Sequence, residues 1–227
     1  MSNQIERAAV LSRAELRHLL RVTDATSRYP ERDAVVLLLG HCLGLRITEI
    51  SQITVADLMQ PSGAWRKEAS VRAAISKGCQ QRCVYPVNKT LLQAMDRYAL
   101  YRVQRGIGTS GESTYRGLYP HQPLVMSRRG GAYELNTKRR TLLGTGRKDY
   151  KAADALQTYV TRLYHRAGFK GASSHSGRRS LATKVLAKTG SMETVSLILG
   201  HEGGIDVSMR YVDVDPKVLR QAFIEAL

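Results

Sequence analysis

Residues 30–53, PERDAVVLLLGHCLGLRITEISQI, read as a buried helix, a glycine stop and a second, short helix opened by an arginine. Pro30 suits the first helical turn, where its missing N–H costs nothing and its fixed φ is already helical. The apolar block Ala34-Val-Val-Leu-Leu-Leu39 has no polar face, so the helix predicted here is buried. Gly44 supplies the stop. Arg46 follows directly and opens ITEISQI, so its side chain emerges at a junction between elements, where sites tend to be built.

Toward the N-terminus, Ser12-Arg-Ala-Glu15 is a capping box that starts a helix over 13–23 with Leu16, Leu19 and Leu20 inward. Toward the C-terminus, residues 66–76 and 82–87 are β-branched and alternating in places, and SKGCQQ separates them. They predict a hairpin or small antiparallel sheet with Lys77 at its turn. Asn88 caps a helix over 89–104, and residues 106–123, with their Gly, Ser, Thr and Pro, read as a long loop. Residues 138–151, KRRTLLGTGRKDYK, form a second polar stretch, strongly basic. Helices are predicted over 152–167, 176–189 (ended by Gly190), 192–199 (ended by Gly200), 206–212 and 216–226 (opened by Pro216). With no internal repeat and no low-complexity segment to divide it, the chain is expected to fold over 1–227 as one α+β domain, mostly helical, with a small antiparallel sheet on one side.

Composition limits the partners. Thirty-five Lys and Arg against 19 Asp and Glu give a net charge of +16, which calls for a polyanion. The longest apolar run is far short of the roughly 20 residues a membrane helix needs, which places nucleic acid ahead of a membrane. On this basis the basic stretch 138–151 is either a linker or a segment facing DNA. No apolar segment follows a basic start at the N-terminus, so no signal peptide is expected and the chain should be cytoplasmic and nucleoid-associated. Three cysteines do not make a disulfide framework, and Cys79-x-x-x-Cys83 lacks the second ligand pair of a closed zinc site.

A set of short motifs carries the chemistry: Arg46 in GLRITE, Lys77 in ISKG, His175 and Arg178 in SHSGRRS, His201 in LGHE and Tyr211 in SMRYVDV. Each is ordinary alone, since the chain has 11 tyrosines and many basic residues. In this order and spacing they resemble the tyrosine recombinase (phage integrase) family, from about residue 10 to the end of the chain. The resemblance implies a catalytic domain that cleaves and rejoins duplex DNA through a 3′-phosphotyrosine, with Arg46, Lys77, His175, Arg178, His201 and Tyr211 as catalytic residues.

Elementary chemistry agrees with those implied roles. The planar fork of arginine suits the nonbridging oxygens of a phosphate, a task for Arg46 and Arg178. Lysine can deliver a proton to a leaving 5′ oxygen, a task for Lys77, although Lys67 and Arg82 flank the same hairpin. A phenol is a weak nucleophile at neutral pH, so Tyr211 needs help in losing its proton. His175 is the candidate for that help, with His201 donating to the phosphate. Glu49 is expected to orient the site or stabilise its helix. No Asp/Glu cluster lies near these motifs to hold two metal ions, so neither a metal nor a cofactor is expected.

Arg179 stands where the family often has histidine and is expected either to have little effect or to add a phosphate contact. Lys138, Arg139, Arg140, Arg147 and Lys148 are the other candidate DNA contacts. The catalytic-like region begins within the first 15 residues, so the separate N-terminal clamp domain of many relatives is expected to be missing. Partners implied by the resemblance are double-stranded DNA and further copies of the chain, as a tetramer on paired sites that is monomeric or weakly associated when free. The helix at 216–227 would dock either on its own domain or in trans on a neighbour. Integration, excision or inversion of a mobile element is the leading expectation. A DNA-binding accessory protein and a type IB topoisomerase-like relaxing enzyme are the alternatives.

Overall fold

The computed structural model describes residues 8–76, 81–142 and 146–200, with the side chains of 140–148 outside the description. Lys77, His201, Tyr211 and the helices expected over 206–212 and 216–226 lie outside the described residues. The elements are α1 (Arg13–Thr26), α2 (Pro30–Leu43), α3 (Ile47–Gln52), α4 (Val55–Leu58), β1 (Ala69–Val71), β2 (Arg82–Val84), α5 (Lys89–Gln104), β3 (Asn136–Leu142), β4 (Gly146–Ala152), α6 (Asp154–Arg166), α7 (Ser176–Thr189) and α8 (Met192–Leu199). This is the mostly helical α+β arrangement predicted, with two small antiparallel strand pairs, β1–β2 and β3–β4.

Helix α2 is the centre of the fold. Ala34 to Leu39 are all buried, and α1, α5 and α7 pack around the helix. Its ends are as the sequence predicts: Pro30 sits in the first turn, and Gly44 closes the helix with φ of 62°. The capping box is formed, Ser12 Oγ accepting from the Glu15 N–H while Glu15 accepts from the Ser12 N–H. Asn88 caps α5 by accepting from the Leu91 N–H at 3.2 Å.

The crossing of α2 and α7 positions the site. A Cβ on Gly177 would lie 2.9 Å from the carbonyl carbon of Gly40 and 3.0 Å from the His41 nitrogen, so only glycine lets these backbones meet. The first turn of α7, which carries His175 and Arg178, is thereby pressed against the last turn of α2 and the Gly44 stop. Helix α8 then packs back on α7 through Ala182, Val195 and Leu199, and Gly200 ends it with φ of 60°.

Two stretches differ from expectation. Residues 138–151 are not a linker: β3 and β4 pair over their whole lengths, from Asn136 opposite Ala152 to Leu142 opposite Gly146. Polar cross-strand contacts hold them, Arg139 to Asp149 at 2.8 Å and Lys151 to the Thr137 hydroxyl at 2.7 Å. The loop 106–123 is present but fastened. Arg102 of α5 is fully buried and donates to the carbonyls of Ile107, Pro123 and Leu124, each at 3.1 Å. A buried guanidinium is tolerable only when its donors are satisfied in this way.

Candidate active site

The site is built where α2 ends, α3 begins and α8 ends. Arg46 is the residue before α3, and its extended backbone turns its N–H toward Glu49 Oε2 at 2.8 Å. The same side chain returns Nη1 to Glu49 Oε1 at 2.9 Å and reaches the Gly200 carbonyl with Nη2 at 3.5 Å. Arg46 keeps 17% of its side-chain surface exposed, whereas Glu49 keeps 1%.

Glu49 is doubly held. Arg82 of β2 donates Nη1 to Oε1 at 2.8 Å and Nη2 to Oε2 at 2.6 Å, a two-pronged contact between buried groups. Each carboxylate oxygen therefore accepts once from Arg82 and once from Arg46. Burial alone would push the Glu49 carboxyl up, but the Arg82 hydrogen bonds and the charges of Arg82, Arg46 and Arg178 outweigh it and hold the group below its ordinary range. Glu49 is an anion here, ringed by three cations.

Arg178 enters from the first turn of α7 and is 1% exposed. Its Nη1 donates to the Gly44 carbonyl and its Nη2 to the Leu199 carbonyl. Arg46 and Arg178, far apart in sequence, thus meet on the backbone of Gly44 and Leu199–Gly200, immediately before His201. His175 starts the same helix at its exposed rim, its backbone N–H donating to Ser173 Oγ at 3.3 Å.

Of the residues singled out in the sequence, Arg46, Glu49 and Arg178 are brought together, and His175 lies on the rim of the same helix. Arg179 is 4% exposed and donates Nη1 to the Ala8 carbonyl, which ties the N-terminal segment to α7. The neighbouring Leu11 N–H donates to Ser180 Oγ at 2.8 Å, which fastens the same segment. Lys138 and Arg139 lie on the exposed β3–β4 pair, bonded to Asp154 at 2.6 Å and Asp149 at 2.8 Å respectively. Arg140, Arg147 and Lys148 follow the same strands, with side chains outside the description.

Arg82 was visible in the sequence only as a rival to Lys77 for the role of acid. Its guanidinium is turned inward to Glu49, away from that role. The signal lies in the strand's alternation, since Arg82 and Val84 are buried while Cys83 between them is exposed. An arginine in phase with a core valine has a partner inside the protein.

Comparison with known proteins agrees with this fold. Residues 9–217 match the model of the Phage integrase family. Among curated relatives, the chain is 26% identical over 218 residues to tyrosine recombinase XerC of Syntrophus aciditrophicus, covering 96% of this chain and 60% of that protein. It is also 26% identical over 195 residues to tyrosine recombinase XerD of Pseudomonas putida, covering 84% of this chain and 53% of that one. In fold it is similar to the crystal structure of XerA recombinase, with a TM-score of 0.66 at 17% identity, over 97% of this chain and 66% of that one. A second similar structure is XerH site-specific recombinase bound to its palindromic difH substrate in a post-cleavage complex, with a TM-score of 0.65 at 18% identity, over 94% and 51% of the two chains. The chain thus spans only part of the length of these relatives. With a family match across most of its length and the recombinase catalytic-domain fold, the chain belongs to the phage integrase family of tyrosine recombinases.

Proposed function

We propose that this protein is a site-specific DNA recombinase that cleaves and rejoins duplex DNA through a 3′-phosphotyrosine, in the integration, excision or inversion of a mobile element. One observation carries the reading: Arg46, Arg82 and Arg178 surround the single carboxylate of Glu49, leaving surplus positive charge beside the half-open Arg46. Buried cations in excess of their counterions call for an anion, and a phosphodiester supplies one with oxygens spaced for arginine forks.

In the proposed step, the Tyr211 oxygen forms a bond to phosphorus and the bond from phosphorus to the 5′ oxygen breaks. The phenolic proton passes to His175, and Lys77 protonates the leaving 5′ oxygen. Arg46, Arg178 and His201 hold the nonbridging oxygens as charge builds on them. Arg178 exchanges its bonds to the Gly44 and Leu199 carbonyls for the phosphate. One ester replaces another, so attack by a different 5′-hydroxyl reverses the step and joins new strands without a nucleotide or a metal ion. Copies of the chain assemble as a tetramer on two DNA sites, with the helix at 216–227 docking on a neighbour.

The test is incubation of the intact chain with nicked duplexes from the flanks of its encoding element, in chelator. A covalent protein–DNA adduct, and recombinant products from two sites, are expected. Cleavage that requires added Mg²⁺ and leaves no adduct would refute the reading.

A further inference from the structure

Arg82 is a buried side chain that touches both Glu49, the support of Arg46, and the end of α8. Its fork fills one side of the Glu49 carboxylate, at 2.8 and 2.6 Å, and Arg46 fills the other. A carboxylate gripped by a two-pronged guanidinium cannot rotate, so the direction in which Arg46 leaves Glu49 is set from Arg82. The stem of Arg82 lies directly beneath Gly200: a Cβ there would sit 2.8 Å from Arg82 Cδ. Gly200 accepts from Arg46 and precedes His201 in the chain. Arg82 itself is anchored in β2, opposite Val71 of β1.

We propose that Arg82 is a positioning residue for the phosphate site: it fixes the Glu49 carboxylate, through it the Arg46 guanidinium, and at the same time the Gly200 turn that leads to His201. This rests on the recombinase reading above and assigns Arg82 a role distinct from proton transfer and from DNA contact. Both nitrogens of its fork are taken up by the Glu49 carboxylate, which turns it away from the leaving oxygen and the DNA. Its effect is on the aim of Arg46, and loss of aim lowers the rate of chemistry while leaving affinity intact.

The experiment compares the intact chain with Arg82→Lys in single-turnover cleavage at saturating nicked duplex, alongside DNA affinity and thermal melting. Lysine keeps the charge beside Glu49 and loses the fork. Affinity should stay within about threefold while cleavage slows by about 10²-fold, the scale of a misplacement near 1 Å. The loss should shrink to under about tenfold on a methylphosphonate at the scissile position, where the charge that Arg46 stabilises has been removed. If Arg82→Lys does not fold at the assay temperature, Glu49→Gln with Arg82→Met removes the buried pair without leaving a lone charge and should show the same rate loss. A cleavage rate within threefold of the parent for the folded variant overturns the proposal, as does a loss explained by weaker DNA binding. Full rescue by a bridging 5′ sulfur would make Arg82 the acid and overturn it too. If the parent chain forms no adduct on any duplex, the recombinase reading itself has failed, and this role with it.

Discussion

Replacing Glu49 by Gln tests the electrostatic centre of the site without touching any proposed reacting group. The carboxylate accepts four hydrogen bonds between 2.6 and 2.9 Å, two at each oxygen. Glutamine keeps one acceptor and points an NH₂ at two donors, so one side of the contact is lost and Arg82 is left buried without a counterion. Breaking one partner of a buried pair typically costs about 3–5 kcal/mol. For a chain of this size each kcal/mol lowers the melting temperature by about 2–4 °C, which predicts a fall of about 6–20 °C. The sign with pH follows from the depressed carboxyl. Because folding lowers the Glu49 carboxyl below its ordinary value of 4.5, its contribution is complete above that value and is lost as pH falls through the folded value. The gap between parent and variant should therefore be full at neutral pH and should narrow on acidification below about pH 4.5. Thermal melts followed by circular dichroism from pH 7 to pH 3 measure both. A variant melting within 2 °C of the parent at pH 7, on the order of 0.5–1 kcal/mol, would refute the reasoning. A gap unchanged in acid would refute it as well.

Arg178→Ala should slow adduct formation by at least about 10²–10³ and also destabilise the fold, since the Gly44 and Leu199 carbonyls lose a buried donor worth about 1–3 kcal/mol each. A folded variant with less than a tenfold loss in single-turnover cleavage would remove Arg178 from the phosphate site. Lys77→Ala should regain cleavage on a substrate with a bridging 5′ sulfur, whose leaving group needs no proton; failure of that rescue would move the acid elsewhere. With a net charge of +16, DNA affinity should fall with salt at a log–log slope of about −5 or steeper, and a nearly flat slope in fluorescence anisotropy would point to a different ligand.

How far the fold can be read in the sequence depends on which residues mark each element. Pro30, Gly44, Ser12 with Glu15, Asn88, Gly190 and Gly200 act locally, and each stands where the structure begins or ends a helix. The β3–β4 pair escaped because its alternation is polar: Lys138, Arg139, Asp149 and Lys151 leave no apolar face for period-two patterning to reveal. The short helix α4 escaped because it has four residues, although Thr54 and Asp57 form its capping box.

The candidate site was legible to the extent that its residues lie in contiguous motifs, which is why Arg46, Glu49 and Arg178, which the fold brings together, could be singled out from the sequence. Two features emerge only in the folded chain. Arg179 is adjacent to Arg178 and chemically identical, and only the path of residues 8–11 over α7 buries it. Arg82 is in phase with the buried Val84, but its partner, Glu49, lies 33 positions away and no local motif names it.

The central claim is that Tyr211 carries the DNA. The most direct measurement traps the reaction on a nicked duplex, digests the adduct with protease and nuclease, and locates the nucleotide remnant by mass spectrometry. The account predicts a remnant joined through a 3′ phosphate to the peptide containing Tyr211, and no adduct from Tyr211→Phe despite nearly unchanged DNA affinity. A remnant on another residue, a 5′ linkage, or an adduct that survives Tyr211→Phe would contradict it.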